Sequence, residues 1–296
     1  MDNRPMGLVL DMPAEEYHAI EAMSNSGLRL FARSPWHYRN RVPVTPTKAM
    51  LNGTLVHCAQ LEPDALAARY AFVPDGAPKR PTEAQWNAAK SNESSTAAKA
   101  WWSEFLDTVG QRQVVEAADY AITQAQLRAI AAEPYLADLF SVGYPEASVF
   151  WIDKATGVYC KARPDWVRPI DSKRVKLVDL KATVDESPEG FSRALTKLGH
   201  HRQRAHYSSG FEQATGLEVV EFVFAAVTSA APVLAVPYVL DPEDAAQGED
   251  EVAEMLERYA WCLRENQWPT YGSGPQTVSL QKWAKRSTEV EVSYAE

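Results

Sequence analysis

The sequence predicts an α/β fold: a central mixed β-sheet flanked by helices, with a helical N-terminal part. Three observations carry this. Apolar residues recur at roughly helical spacing from about residue 24 to 140. From Ala147 onward the period shortens to alternation. A helix-length stretch from about Gly190 to Thr215 then divides two groups of strands, as in a mixed sheet with helices on its faces.

The N-terminal elements follow in order. Ser24 or Ser26 can cap a helix through Leu28, Leu30 and Phe31 that ends near Ser34-Pro35 or resumes into Tyr38. Gly53 to Leu61 reads as a second helix, with Leu55 and Cys58 apolar and His57 beside them. Val73-Pro74-Asp75-Gly76 marks a turn, extended by Pro78 and Pro81. Thr82 to Val109 is spaced as a helix (Trp86, Ala89, Ala97, Ala98, Trp101, Trp102, Phe105), its tryptophans expected in the core rather than as base-stacking platforms. Ala118 to Phe140 gives two short helices joined near Glu133-Pro134.

Ala147 to Ile152 is the first strand, with Val149 and Trp151 on one face. Asp153 to Gly157 is a hairpin turn, and Val158 to Arg163 the returning strand. Arg174 to Lys181 alternates, placing Val175, Leu177, Asp179 and Lys181 on one parity. Ser187-Pro188-Glu189 opens a long helix from about Gly190 to Thr215, closed by Gly216. Leu217 to Ser229 and Val233 to Leu240 are two further strands, and Glu243 to Arg264 an amphipathic helix.

A chain of 296 residues is read as a single domain: a helical part at about 24–140, a sheet core at about 145–240 and a C-terminal helix at about 241–266. A hydrophobic content of 46% suffices for a sizeable core. Cys58, Cys160 and Cys262 are widely spaced and form no CxxC pair, which argues against a disulfide framework, a zinc knuckle or an iron–sulfur cluster. Met1 to Ala22 carries five acids and is no signal peptide, and no apolar run nears the ~20 residues of a membrane span. A soluble cytoplasmic protein is expected.

The net charge of −9 does not exclude nucleic acid, which responds to local basic surface. Asp241 to Glu257 is acidic without a single Lys or Arg. Basic residues gather at Arg29/Arg33/Arg39/Arg41, Lys161/Arg163/Arg168, Lys173/Arg174/Lys176 and His200/His201/Arg202/Arg204. Any one of these is ordinarily a solvated face.

The chemistry-bearing segment is Arg163-Pro164-Asp165 followed by Val178-Asp179-Leu180-Lys181. Residues two apart on a strand share a face, so Asp179 and Lys181 lie together and Leu180 points into the layer behind. Alone, this acid–lysine pair is an ordinary surface ion pair. With Asp165 on a preceding strand, two carboxylates converge on one point and can hold a divalent cation. Such an ion stabilises charge on a phosphodiester and acidifies a bound water, and a neighbouring lysine can act on that water.

These residues resemble the PD-(D/E)xK nuclease signature. Gln203-Arg204-Ala205-His206-Tyr207 resembles the Q-x-x-x-Y helix motif of RecB-like nucleases and their phage relatives; Gln203, Tyr207 and His200 share a helix face. Gly53-Thr54-Leu55-Val56-His57 resembles the helix that carries the family's metal-ligating histidine. Ser24 to Leu28, with Ser34-Pro35 and Tyr38, resembles its opening helix, and Pro145-Glu146 sits where a further acid is expected. The chain is most similar to the RecE (exonuclease VIII) group of phage recombination exonucleases, over roughly Met23 to Leu240.

The resemblance implies a restriction-endonuclease-like core and a Mg²⁺ cofactor, with Mn²⁺ able to substitute. His57, Asp165, Asp179 and the Leu180 carbonyl would ligate metal. Glu146 would assist a second metal or the attacking water, Lys181 would act on that water, and Gln203 and Tyr207 would steady the site or the DNA backbone. Arg29, Arg33, Arg163, His200 and Arg204 are expected to contact DNA. The implied activity is digestion of linear double-stranded DNA from its 5′ ends, in a ring-shaped homo-oligomer, for a single-strand annealing partner; the acidic Asp241–Glu257 face would lie outside the ring and arginines line its channel. A superfamily endonuclease or flap nuclease, a catalytically silent DNA-binding module, and a globular protein with a chance D-x-K remain open alternatives.

Overall fold

The computed structural model describes residues 4–88 and 92–280. Among them the strands are β1 (Gly7–Val9), β2 (Tyr70–Phe72), β3 (Gln113–Val115), β4 (Tyr144–Pro145), β5 (Ser148–Ile152), β6 (Tyr159–Ala162), β7 (Trp166–Pro169), β8 (Arg174–Thr183), β9 (Glu218–Thr228) and β10 (Ala235–Tyr238). The N-terminal helices are α1 (Ala14–Ala19), α2 (Asn25–Arg33), α3 (Pro35–Arg39), α4 (Lys48–Leu61), α5 (Leu66–Arg69), α6 (Glu83–Asn87), α7 (Glu93–Val109), α8 (Ala117–Ala132) and α9 (Pro134–Leu139). Three more follow: α10 (Pro188–Leu198), α11 (His200–Thr215) and α12 (Pro242–Glu265).

The main sheet has the order β10-β9-β8-β7-β4. Strands β8 and β9 run parallel, joined by the α10–α11 crossover, and the other neighbours are antiparallel, so the sheet is mixed as predicted. Alternation along β8 divides the core. Val175 and Leu177 face a cluster built with Phe211 of α11 and with Val252 and Leu256 of α12. Val178 and Leu180 face Val56 of α4, Ile130 of α8 and Leu136 and Leu139 of α9. Asp179 and Lys181 therefore emerge on the α11 face, at the end of an otherwise apolar strand.

Several local expectations hold. The Ser24 hydroxyl accepts from Gly27 N–H at 3.2 Å and caps α2, while Ser34 accepts from His37 N–H at 3.2 Å and restarts the chain as α3. All three cysteines are buried free thiols. Trp102 is buried, its indole N–H donating to the Pro78 carbonyl at 2.8 Å. No helix of the described residues is long and apolar enough to cross a membrane.

Four expectations are corrected. The helix foreseen over Gly190 to Thr215 is two helices, broken at Gly199, whose φ of +71° is left-handed and closes α10. Thr82 to Val109 contains two helices, α6 and α7; Ala89 lies outside the described residues. Strands β5 and β6 do not join the main sheet but pair with β1 in a separate three-stranded one. Asp165 lies on no strand: it is the bend residue immediately before β7, a strand the sequence reading did not foresee.

Candidate metal centre

Strand register assembles the acids. Trp166 of β7 pairs with Val178 of β8, which sets Asp165 opposite Asp179. Pro145 of β4 pairs with Trp166, and the Glu146 N–H donates to the Asp165 carbonyl at 3.0 Å, which sets Glu146 beside Asp165. Three carboxylates from distant segments thus fall in one row across the sheet. Glu146 has a φ of +47°, a turn of the chain out of β4 towards β5.

Strand β7 begins at Trp166, so beyond Val178 the β7-side edge of β8 has no ladder partner. There the Leu180 N–H donates to Asp165 Oδ2 at 2.6 Å. In a strand the N–H and carbonyl of one residue point the same way, so the Leu180 carbonyl also faces the Asp165 side.

Helix α4 brings His57 over this row, with Nδ1 3.5 Å from Asp165 Oδ2. One ligand atom from each of His57, Glu146 and Asp165 lies within 4.8 Å of the others. Asp179 stands next to this trio, 2% exposed. Its Oδ1 accepts from Gln203 Nε2 at 2.6 Å. Lys181 Nζ lies 2.5 Å from Oδ2, but off the hydrogen-bonding direction, so this buried oxygen has a charge beside it and no hydrogen bond.

The electrostatics follow from crowding. Burial first, then the Asp165 charge, pushes the Glu146 carboxyl up to about 8, with Arg163 opposing. Burial likewise raises Asp179, against the pull of Lys181. Tyr207 is held far above the usual phenol range by burial and by the Tyr17, Asp179 and Asp165 groups around it, so its hydroxyl keeps its proton. An imidazole, crowded carboxylates and an unsatisfied buried carboxylate oxygen are a donor set that fits a hard divalent cation. His57, Glu146, Asp165, Asp179 and the Leu180 carbonyl would hold it.

Of the basic residues expected at DNA, Arg29 and Arg33 stand exposed on α2. The other three are placed differently. Arg163 is buried: Nε donates to Ser148 Oγ at 2.8 Å, Nη2 donates to the Met12 carbonyl at 2.7 Å, and Nε lies 4.0 Å from Glu146 Oε2. His200 is buried against Phe191, with its rings stacked at 6.1 Å, and burial lowers its pKa to about 4, so it is a neutral ring rather than a phosphate-binding cation. Arg204 pairs with Glu249 of α12. His201 Nε2 and Arg202 Nη1 both meet Glu251 Oε2, at 3.1 and 3.0 Å. Glu249 and Glu251 of the Asp241–Glu257 segment therefore pair with the basic groups of α11, while Glu243, Asp244, Asp250, Glu254 and Glu257 stand exposed.

Sequence reasoning missed the N-terminal segment. Lys161 is 5% exposed and donates to the Tyr17 and Ile20 carbonyls at 2.6 and 2.7 Å, which ties α1 against the site. Nothing local signals this, because the partners lie more than 140 positions away.

The fold and this row of acids define a PDDEXK-like, restriction-endonuclease-like domain. The chain belongs to the family described as PDDEXK-like domain of unknown function (DUF3799), whose profile matches residues 24–279. No curated protein matches it. A presumptive exonuclease from Eubacterium rectale shares the fold at a TM-score of 0.54 and 14% identity, over 92% of this chain and 97% of the other. An alkaline exonuclease from Laribacter hongkongensis overlaps at a TM-score of 0.26 and 15% identity, over 62% of this chain and 89% of the other, too slight a likeness to carry an argument.

Proposed function

We propose that the protein is a divalent-metal-dependent DNA exonuclease that acts on linear double-stranded DNA, as one nuclease domain in the cytoplasm. The observation that carries this reading is the meeting of His57, Glu146 and Asp165 beside the Asp179–Lys181 pair. When bound there, Mg²⁺ or Mn²⁺ supplies charge stabilisation and an acidified water. Lys181 would orient the attacking water and offset the charge that builds on the phosphate. Gln203 fixes Asp179, and the protonated Tyr207 hydroxyl is hydrogen-bonded to Gln203 and so helps to hold that amide. The resemblance to the RecE group favours 5′ to 3′ polarity, recombination by single-strand annealing, a ring-shaped homo-oligomer and an annealing partner.

The test is incubation with end-labelled linear duplex and with closed circular DNA, each with Mg²⁺, Mn²⁺ or EDTA. Metal-dependent release of nucleotides from the linear substrate alone supports an exonuclease. Cutting of the circle makes the protein an endonuclease. No cutting of either places a silent DNA-binding module first. Lys181→Ala is expected to abolish cleavage and leave the fold intact; unchanged cleavage would refute the assigned centre.

A further inference from the structure

The groove that contains His57 and Glu146 has a volume of about 1680 Å³ and extends to a wall made by Tyr38, Arg39, Arg41 and Trp268. This wall is assembled from two parts of the chain. Tyr38 and Arg39 end α3, Arg41 follows it, and Trp268 lies just beyond α12. The segment after α12 is fastened to α3, with Trp36 N–H donating to the Pro269 carbonyl at 3.2 Å. The Trp268 ring lies nearly parallel to that of Tyr38, with centroids 6.1 Å apart and 22° between planes.

Both guanidinium groups are set on aromatic faces. That of Arg41 lies 4.5 Å from the Tyr38 ring centroid and donates to the Tyr38 carbonyl at 3.0 Å. That of Arg39 lies 5.5 Å from the Trp268 centroid. Stacking on a ring fixes the plane of a guanidinium while leaving N–H edges available to an anion. Neither group has a carboxylate partner among the described residues, whereas Arg202 and Arg204 of α11 are held by Glu251 and Glu249. In a chain of net charge −9, two ring-mounted cations with no carboxylate partner among the described residues face the groove that His57 and Glu146 line.

We infer that Arg39 and Arg41, mounted on Trp268 and Tyr38, hold phosphates of the DNA strand that flank the reacting phosphodiester, an assignment that rests on the nuclease reading. The class of ligand is a polyanionic strand. Contact is with its backbone, so the wall confers affinity without base preference. Trp268 acts by positioning Arg39.

The experiment measures binding of a fluorescent linear DNA duplex in EDTA, which prevents cleavage, across a series of NaCl concentrations. Wild type is compared with Arg39→Gln/Arg41→Gln, with Trp268→Leu, and with Arg193→Gln, an exposed arginine paired with Asp185 outside the groove. Circular dichroism first establishes that each variant is folded. The double variant is expected to lower the slope of log affinity against log salt by about 1.5 to 2, the loss of two phosphate contacts, and to bind at least about tenfold more weakly at low salt. Trp268→Leu keeps both charges and is expected to weaken binding with a nearly unchanged slope, and Arg193→Gln to match wild type. If wild type binds and cleaves DNA but the double variant keeps its slope and affinity, the wall is not a phosphate contact while the nuclease reading stands. If wild type neither binds nor cleaves, both readings fall.

Discussion

Gln203 Nε2 donates to Asp179 Oδ1 at 2.6 Å, which fastens helix α11 to strand β8 at the most buried carboxylate of the centre. The other oxygen of Asp179 has no hydrogen bond, so among the described residues Gln203 is the sole hydrogen-bond donor to this group. Replacing Gln203 by Ala would leave the buried carboxylate with only the Lys181 charge beside it. A loss of about 1–3 kcal/mol in urea unfolding without metal is expected, together with weaker cleavage. Unfolding that matches wild type would show that the amide does not support Asp179.

Asp165 acts in the opposite sense. Its charge is one of the forces that raise the Glu146 carboxyl to about 8, so the site is destabilised until a cation arrives. Asp165→Asn keeps an oxygen for the Leu180 N–H and removes the repulsion. In EDTA it should be more stable than wild type, on the order of 1 kcal/mol. On the proposed reading it should also lose metal-dependent cleavage and any thermal stabilisation by added Mg²⁺. A variant less stable than wild type in EDTA would mean that the acids do not repel one another.

Two buried histidines set an acid limit. Burial lowers His206 to about 4, and its Nε2 is 3.1 Å from the Lys161 carbonyl. A folded-state pKa below the unfolded value of about 6.5 gives stability that is complete above pH 6.5 and lost as pH falls from there towards 4. His206→Gln keeps a donor and cannot be protonated. Relative to that variant, wild type should lose up to about 1.4 kcal/mol per pH unit over this window. Parallel stability curves would exclude His206 as the titrating group, and His200 would be tested next.

The pairing between α11 and α12 makes a contrasting claim. Arg204 is engaged with Glu249 at a largely open surface. Arg204→Ala should cost less than about 1 kcal/mol of stability and change DNA affinity less than twofold. A large fall in affinity would return Arg204 to the list of DNA contacts.

The same two helices meet at Gly248, where an added Cβ would lie 2.5 Å from the His201 carbonyl oxygen. That neighbour is backbone and cannot swing aside. Gly248→Ala should destabilise by about 1–3 kcal/mol, measured as a lower urea midpoint. An unchanged midpoint would mean that the helices can separate without cost.

Legibility followed the range of the forces involved. Alternation along residues 175–181 displays the faces of β8, because side-chain direction in a strand is a local matter. The family's motif spacing placed His57, Glu146, Asp165 and Gln203 around the same point. The break at Gly199 was hidden, since one left-handed residue barely alters the helical composition of residues 188–215. Arg163 and Arg204 read as DNA contacts because their partners, Met12 and Glu249, are 151 and 45 positions away. Strand β7 has four residues and ends in Pro169, too short to show a period.

Leu180 contributes to the centre through its main chain, while its side chain is buried against Val56 on the opposite side of the sheet. A group of that kind survives every side-chain replacement except proline, which alone would remove the N–H. Exchanging leucine for another apolar residue would disturb the layer behind, and the amide would still be presented to Asp165. The chain can therefore drift at position 180 without forfeiting that polar group, whereas a single nucleotide change at 165 or 179 removes a carboxylate outright. Part of the site is inherited with the backbone path itself, and only the remainder is exposed to loss one codon at a time.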